Sequence, residues 1–246
     1  MPASFESRKQ KLLATLSTPD DQYSDLSPKG SVDAGIRDLI AEINALPEYV
    51  TTSSCAGRVA VYLEGGGKGA KGGGKWLFTS HVNVDVGGEN VDGDLFRLFG
   101  LGAEAPSATA SPPDVGTARD QAANPNANTQ ILHILTSSLP AAQHAASAAL
   151  QAGFRESGIN RILDAKDQAH SPATPMVAVR SSGLAFDCIV GYEEAPAAES
   201  DPDAARIIRP MVAEQYLRTL IGVANQRFVT NSQRTGRFRQ ALLRKQ

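Results

Sequence analysis

Cysteine is nearly absent from this chain: Cys55 and Cys188 are the only two in 246 residues, too few and too far apart for a disulfide framework. The four histidines, His81, His133, His144 and His170, are scattered. None of the short paired spacings of a zinc site occurs, so no metal is expected. An excess of one charge is also lacking, since 24 Lys and Arg face 26 Asp and Glu and leave a formal −2. No overall basic field would hold a nucleic acid, and an RNA partner has to be met by a local patch. No apolar run approaches the roughly 20 residues of a membrane-spanning helix, and residues 1–13, MPASFESRKQKLL, carry charges where a secretory signal has its apolar stretch. A reducing, cytoplasmic setting without a membrane partner is the expectation. The glycine fingerprint GxGxxG between a strand and a helix is missing as well, which argues against a Rossmann arrangement.

What is present is enough apolar residue, 41% of the chain, for one substantial core, and a single domain over residues 1–246 is expected. Apolar spacing predicts helices over 5–16 and over about 32–46, the second carried by Val32, Ile36, Leu39, Ile40 and Ile43. β-branched and alternating residues predict strands from Tyr49 through Leu63 and over 75–81. Between them, GGGKGAKGGGK at 65–75 reads as a hairpin loop with too much backbone freedom to hold one conformation. A short helix is expected near Leu95 to Phe99. Residues 103–128, rich in Ala, Pro, Ser and Asn, read as a disordered insertion because they offer little surface to bury against the entropy of ordering. Beyond it come a strand over 130–137, an alanine-rich helix over 140–151 that ends near Gly153, and strands over 176–180 and 184–190. The last helix starts near Met211 and carries Val212, Tyr216, Leu220, Ala224 and Phe228. The fold class is α+β, a mixed and largely antiparallel sheet with packed helices.

The densest polar cluster is TTSSC at 51–55, followed by Ala56, Gly57 and Arg58. Hydroxyls, a thiol and a guanidinium at one strand end, next to a glycine that lets backbone approach a ligand, suit an anion or a nucleotide sugar, although an ordinary Ser/Thr-rich turn has the same composition. Cys55 would be a nucleophile only if His81 or His133 met it as a base, and a small buried cysteine is the commoner arrangement. His81 and His133 each stand in a strand, where a histidine is either a hydrogen-bonded structural residue or a proton acceptor near neutral pH. The basic residues collect at the C-terminus, with Arg234, Arg237, Arg239, Arg244 and Lys245.

A string of short segments takes the reading further. Lys29, Gly30, Ser31, Val32 and Asp33 open the second helix; TTSSCAGR spans 51–58 and WLFTSH spans 76–81. Leu132 and His133 come next, then GFRESGI at 153–159, VAVRSSG at 177–183, YLRTLIGVAN at 216–225, Asn231 and Arg234. In order and spacing they resemble the wybutosine-synthesis protein 3 family, SSCAGR and GFRESGI being the specific ones. The resemblance implies a methyltransferase that uses S-adenosylmethionine to methylate the N4 ring nitrogen of the tricyclic wybutosine precursor beside the anticodon of phenylalanine tRNA. It places Ser53, Ser54, Cys55, Gly57 and Arg58 in a cofactor pocket. Lys29, Ser157, Gly158 and Asn225 would complete the pocket, Asp33 would serve a polar part of cofactor or substrate, and His81 or His133 would accept the proton. The tail arginines Arg234, Arg237 and Arg239 would meet phosphates of the anticodon stem. Two other functions stay open: a non-catalytic tRNA-binding module that recognises the modified anticodon loop, and a thiol enzyme built on Cys55.

Overall fold

A computed structural model describes residues 5–18, 32–64, 74–85, 95–102, 122–128, 130–161, 174–193 and 207–244. Lys29, the loop at 65–73 and residues 103–121 of the expected insertion lie outside them. The chain divides into two compact units, each built from discontinuous segments: unit 1 holds 1–57, 129–184 and 229–246, and unit 2 holds 58–128 and 185–228.

Unit 1 is a four-stranded antiparallel sheet in the order β1 (Tyr49–Cys55), β5 (Ile131–Thr136), β7 (Met176–Val179), β6 (Gly158–Arg161). Alternation along each strand divides its side chains between two faces. Tyr49, Leu132, Ile134, Val177 and Val179 point to the inner face, where α2 (Arg37–Ala45), α4 (Leu139–Ala152) and the end of α5 (Glu214–Leu243) cover them. Helix α4 buries Ala142, Ala145, Ala148, Ala149 and Ala152, a stripe at helical spacing whose short side chains let the helix backbone come close to the sheet. The Ser138 hydroxyl caps its start by accepting from Ala141 N, and Gly153 ends it at φ 101°, a left-handed conformation that glycine adopts without a steric penalty. On the outer face, Val50 and Leu135 pack under Phe5 and against Leu12 and Leu13 of α1 (Phe5–Leu16).

Unit 2 holds an antiparallel sheet in the order β10 (Ile208–Pro210), β9 (Gly191–Glu193), β4 (Ala122–Asn128), β2 (Arg58–Leu63), β3 (Lys75–Ser80), with β8 (Phe186–Asp187) on β4. Val59, Val61 and Leu63 face a core shared with Leu95 and Phe96 of α3 (Leu95–Leu98), with Phe99, and with Leu217, Ile221 and Ala224 of α5.

Several sequence expectations are corrected here. Residues 122–128 are not disordered: they form β4, paired with β2 over 123–128 and with β9 at Ala122 and Ala123. AANPNAN has poor strand propensity and a proline that cannot donate to a ladder; neighbouring strands impose the extended form. Of the expected strand over 184–190 only the two residues of β8 are extended, β9 begins just after it, and GFRESGI supplies an unforeseen strand, β6. Of the expected stripe of α5, Ala224 is buried and Val212, Leu220 and Phe228 pack against the core, but Tyr216 is 43% exposed and Leu217 and Ile221 are buried in addition. Steps of four residues each advance 400° and drift off one face, whereas 217, 221, 224 and 228 alternate four and three and stay on it. The expected α+β class with antiparallel pairing and packed helices holds: the strands divide between two sheets, and every recorded ladder is antiparallel.

Candidate functional site

The outer face of the unit 1 sheet is where the candidate residues converge. A register shift between Thr51 and Ser53 places one extra residue in β1 opposite β5. Without that bulge, strict alternation from Thr51 would send Ser53 and Cys55 to the inner face; with it both lie on the outer one, while Ser54 pairs with inward-facing Leu132. Pairing then sets Ser53 against His133, His133 against Ala178, and Ala178 against Gly158. One row across four strands thus carries a hydroxyl, an imidazole and two small residues. Gly158 has open space where a Cβ would be, so the row has a low floor beside the imidazole.

Ser53 Oγ lies 2.7 Å from His133 Nδ1, a contact in which the hydroxyl either accepts from Nδ1–H or donates to a bare Nδ1. When Nδ1–H donates to Ser53, Nε2 is left with its lone pair. Burial lowers the His133 pKa from its ordinary value, and the charge of Arg180 lowers it further, so the imidazole is neutral at physiological pH and able to take a proton. Arg180 comes two residues after Ala178, just past the end of its strand. Its backbone is held by Ser157, whose Oγ accepts from Arg180 N at 3.0 Å and donates to Arg180 O at 3.3 Å. Its Nε donates to Glu156 O at 3.2 Å. The Glu156 carboxylate is engaged elsewhere: hydrogen bonds from Ser181 and Ser182 hold its pKa below the usual carboxylate value against the opposing effect of desolvation, those from Ser182 N and Oγ each measuring 3.0 Å.

The turn after β1 is clamped from two sides. Ala56 N donates to buried Asp33 Oδ2 at 2.7 Å, and Ala56 O accepts from Asn231 Nδ2 at 3.0 Å. Asn231 Oδ1 in turn accepts from Gln130 N at 3.3 Å. Gly57 follows at φ 96°, where a side chain would be strained. Asp33 therefore binds the turn that carries the cluster.

In unit 2, the Arg58 guanidinium lies over the Trp76 ring, 4.6 Å from its centroid, and Trp76 stands 4.7 Å from Tyr62 at 57°. Arg58, Ala60 and Tyr62 alternate with core-facing Val59, Val61 and Leu63, so this cation–aromatic group lies on the side of the sheet away from the core. Asn225 is occupied by the segment after β3: its Oδ1 accepts from Val84 N at 2.9 Å and its Nδ2 donates to Val84 O at 2.8 Å. His81 belongs to unit 2, in the same segment.

The tail arginines are engaged within unit 1. Arg237 donates through Nε and Nη2 to Ala152 O, at the end of α4, at 3.2 and 3.0 Å. Arg234 Nη1 donates to Ser181 Oγ at 3.1 Å, and Arg239 pairs with Glu42. Unit 1 also has a cavity of about 500 Å³ lined by Leu13, Leu16, Val32, Arg37, Ile40 and Asn44, among others, and none of the candidate residues lines it. Sequence reasoning missed Arg180, Glu156 and Asn231 as functional or positioning residues. The available signal was that GFRESGI and VAVRSSG each set an arginine beside serines, and that Asn231 follows a long helical ladder.

The family model described as Methyltransferase TYW3 matches residues 7–244. The tRNA wybutosine-synthesizing protein 3 of Schizosaccharomyces pombe is 31% identical over 241 residues, covering 98% of this chain and 87% of that protein; the protein of the same name in Saccharomyces cerevisiae is 30% identical over 239 residues, covering 92% and 77%. The solved structure of PH1069 protein from Pyrococcus horikoshii superposes with a TM-score of 0.64 at 22% identity, covering 97% of this chain and 96% of that one, and shares the fold.

Proposed function

The chain belongs to the TYW3 methyltransferase family, and on that premise we propose that it transfers the methyl group of S-adenosylmethionine to the N4 ring nitrogen of the tricyclic wybutosine precursor in phenylalanine tRNA. When bound, the donor supplies a methyl group on a sulfonium sulfur. Displacement at such a carbon needs alignment, exclusion of water and an outlet for the proton that the nitrogen gives up, with no covalent intermediate on the enzyme. The observation that carries the reading is the Ser53–His133 pair at 2.7 Å on a row floored by Ala178 and Gly158: a neutral imidazole held by a hydroxyl, beside room for a flat group.

His133 is the proton acceptor in this reading, Ser53 orients it, and Asp33 and Asn231 hold the turn after β1 so that Ser53 and Cys55 keep their side of the sheet. The donor fits these residues chemically, because a sulfonium needs no metal and small side chains leave space for a nucleoside. Cys55, Gly57 and Gly158 border the donor. In unit 2, Arg58, Tyr62 and Trp76 present rings and a guanidinium of the kind on which unpaired bases stack, which suits an anticodon loop.

The test is methyl transfer from labelled S-adenosylmethionine to phenylalanine tRNA from a strain lacking the endogenous enzyme, with fully modified tRNA as control. Label entering only the precursor tRNA supports the reading. Absence of label with tight tRNA binding retained would favour a tRNA-binding module.

A further inference from the structure

We propose that Arg180 binds the carboxylate of the methyl donor's amino-acid portion, with its terminal guanidinium nitrogens offered to a ligand on the outer face of unit 1. This assignment rests on the methyltransferase reading and adds a residue to it.

The first support is pre-organisation. Arg180 has its backbone held on both sides by Ser157 Oγ, and its side chain is anchored at Nε by Glu156 O. An arginine fixed at Nε keeps Nη1 and Nη2 as a planar fork, the geometry that meets a carboxylate with two hydrogen bonds. The second is the missing counter-charge. The nearest acid in this turn is Glu156, and its carboxylate is occupied by Ser181 and Ser182 while only its backbone oxygen meets Arg180. Among the described residues Arg180 has no ion pair, and it is exposed. A guanidinium whose acidic neighbour is turned aside, next to an imidazole that it makes harder to protonate, is arranged for an anion from outside the chain.

The third is reach. Ala178 pairs with His133, and Arg180 follows two residues later, just past the end of β7 and close enough for its charge to act on the imidazole. In the donor, the carboxylate lies only four bonds from the sulfonium that must stand close to the reacting nitrogen. A single fork beside the acceptor matches that short link, whereas a nucleic-acid backbone is tracked by several cations. Arg58, the arginine of the expected cofactor pocket, has its guanidinium over Trp76.

The experiment measures the affinity of the full chain for S-adenosylhomocysteine and for 5′-methylthioadenosine, which keeps the thioether and adenosine but has no carboxylate, by calorimetry with wild type, Arg180→Ala and Arg180→Lys. Charge-assisted bonds of this kind are worth roughly 10- to 100-fold in affinity. The expected result is that Arg180→Ala weakens S-adenosylhomocysteine by that factor, leaves 5′-methylthioadenosine within about twofold, and is partly rescued by Lys. If wild type binds S-adenosylhomocysteine and Arg180→Ala binds it equally well, or if the variant loses tRNA affinity instead, the assignment is overturned while the methyltransferase reading stands. If wild type binds neither small molecule, the reading beneath it falls.

Discussion

Replacing His133 by Gln keeps a polar side chain on the outer face while removing the group that accepts a proton. General-base assistance contributes roughly 10²- to 10⁴-fold, or about 3 to 5 kcal/mol in the barrier, so kcat for methyl transfer should fall by that factor while donor affinity changes little. The pH profile separates this from a structural defect. Burial and Arg180 both lower the His133 pKa, so wild-type activity should rise along a limb whose midpoint lies below the ordinary histidine value near 6.5. His133→Gln should lack the limb, and Arg180→Ala should move it upward, because removing a nearby cation makes the imidazole easier to protonate. Ser53→Ala, which removes the bond at 2.7 Å, costs about 1 kcal/mol and should slow the reaction several-fold. The same shift affects stability. Folded His133 binds a proton less readily than an unfolded histidine, so its contribution is fully present above about pH 6.5 and is lost as pH falls through the lower folded value. Single-turnover methyl transfer on precursor tRNA from pH 5 to 8 is the assay. A His133→Gln enzyme within a few-fold of wild type, with the acid limb intact, would refute the role of His133 and direct attention to His81.

Asn231→Ala strands a buried carbonyl at Ala56 and an N–H at Gln130, and should destabilise the fold by about 2 to 4 kcal/mol, read as a lower urea midpoint; a loss under 1 kcal/mol would argue that the turn is held without it. Arg237→Ala removes two bonds to the last carbonyl of α4 and should lower the melting temperature without altering the salt dependence of tRNA binding, whereas a reduced salt slope would return Arg237 to the RNA surface. Because Trp76 is the only tryptophan, intrinsic fluorescence reports the unit 2 aromatic group directly. Saturation with an anticodon stem-loop should quench it in wild type and less so in Tyr62→Ala, and an unchanged spectrum at saturation would place the RNA elsewhere.

Much of the local structure was legible in the sequence because its causes are local. Alanine spacing, a serine cap and Gly153 define α4 within a few residues, and alternation along Val59, Val61 and Leu63 marks β2 with its core face. The residues of the site were also legible as motifs, since TTSSCAGR and His133 stood out by composition and by family resemblance. Their partnership was not. Ser53 and His133 are 80 residues apart, and they meet only because β1 and β5 pair in one register with one bulge between Thr51 and Ser53. Nothing in TTSSC announces that bulge, yet it sends Ser53 and Cys55 to one face and Ser54 to the other. Strand β4 makes the same point from the opposite side: a segment with a proline and three asparagines is extended because β2 and β9 supply its hydrogen-bond partners. Side-chain periodicity and turn chemistry are properties of a few neighbouring residues and can be read from the chain. Register, the choice of sheet face and the engagement of Arg180, Arg237 and Asn225 depend on which distant backbones meet, and only the tertiary structure decides that.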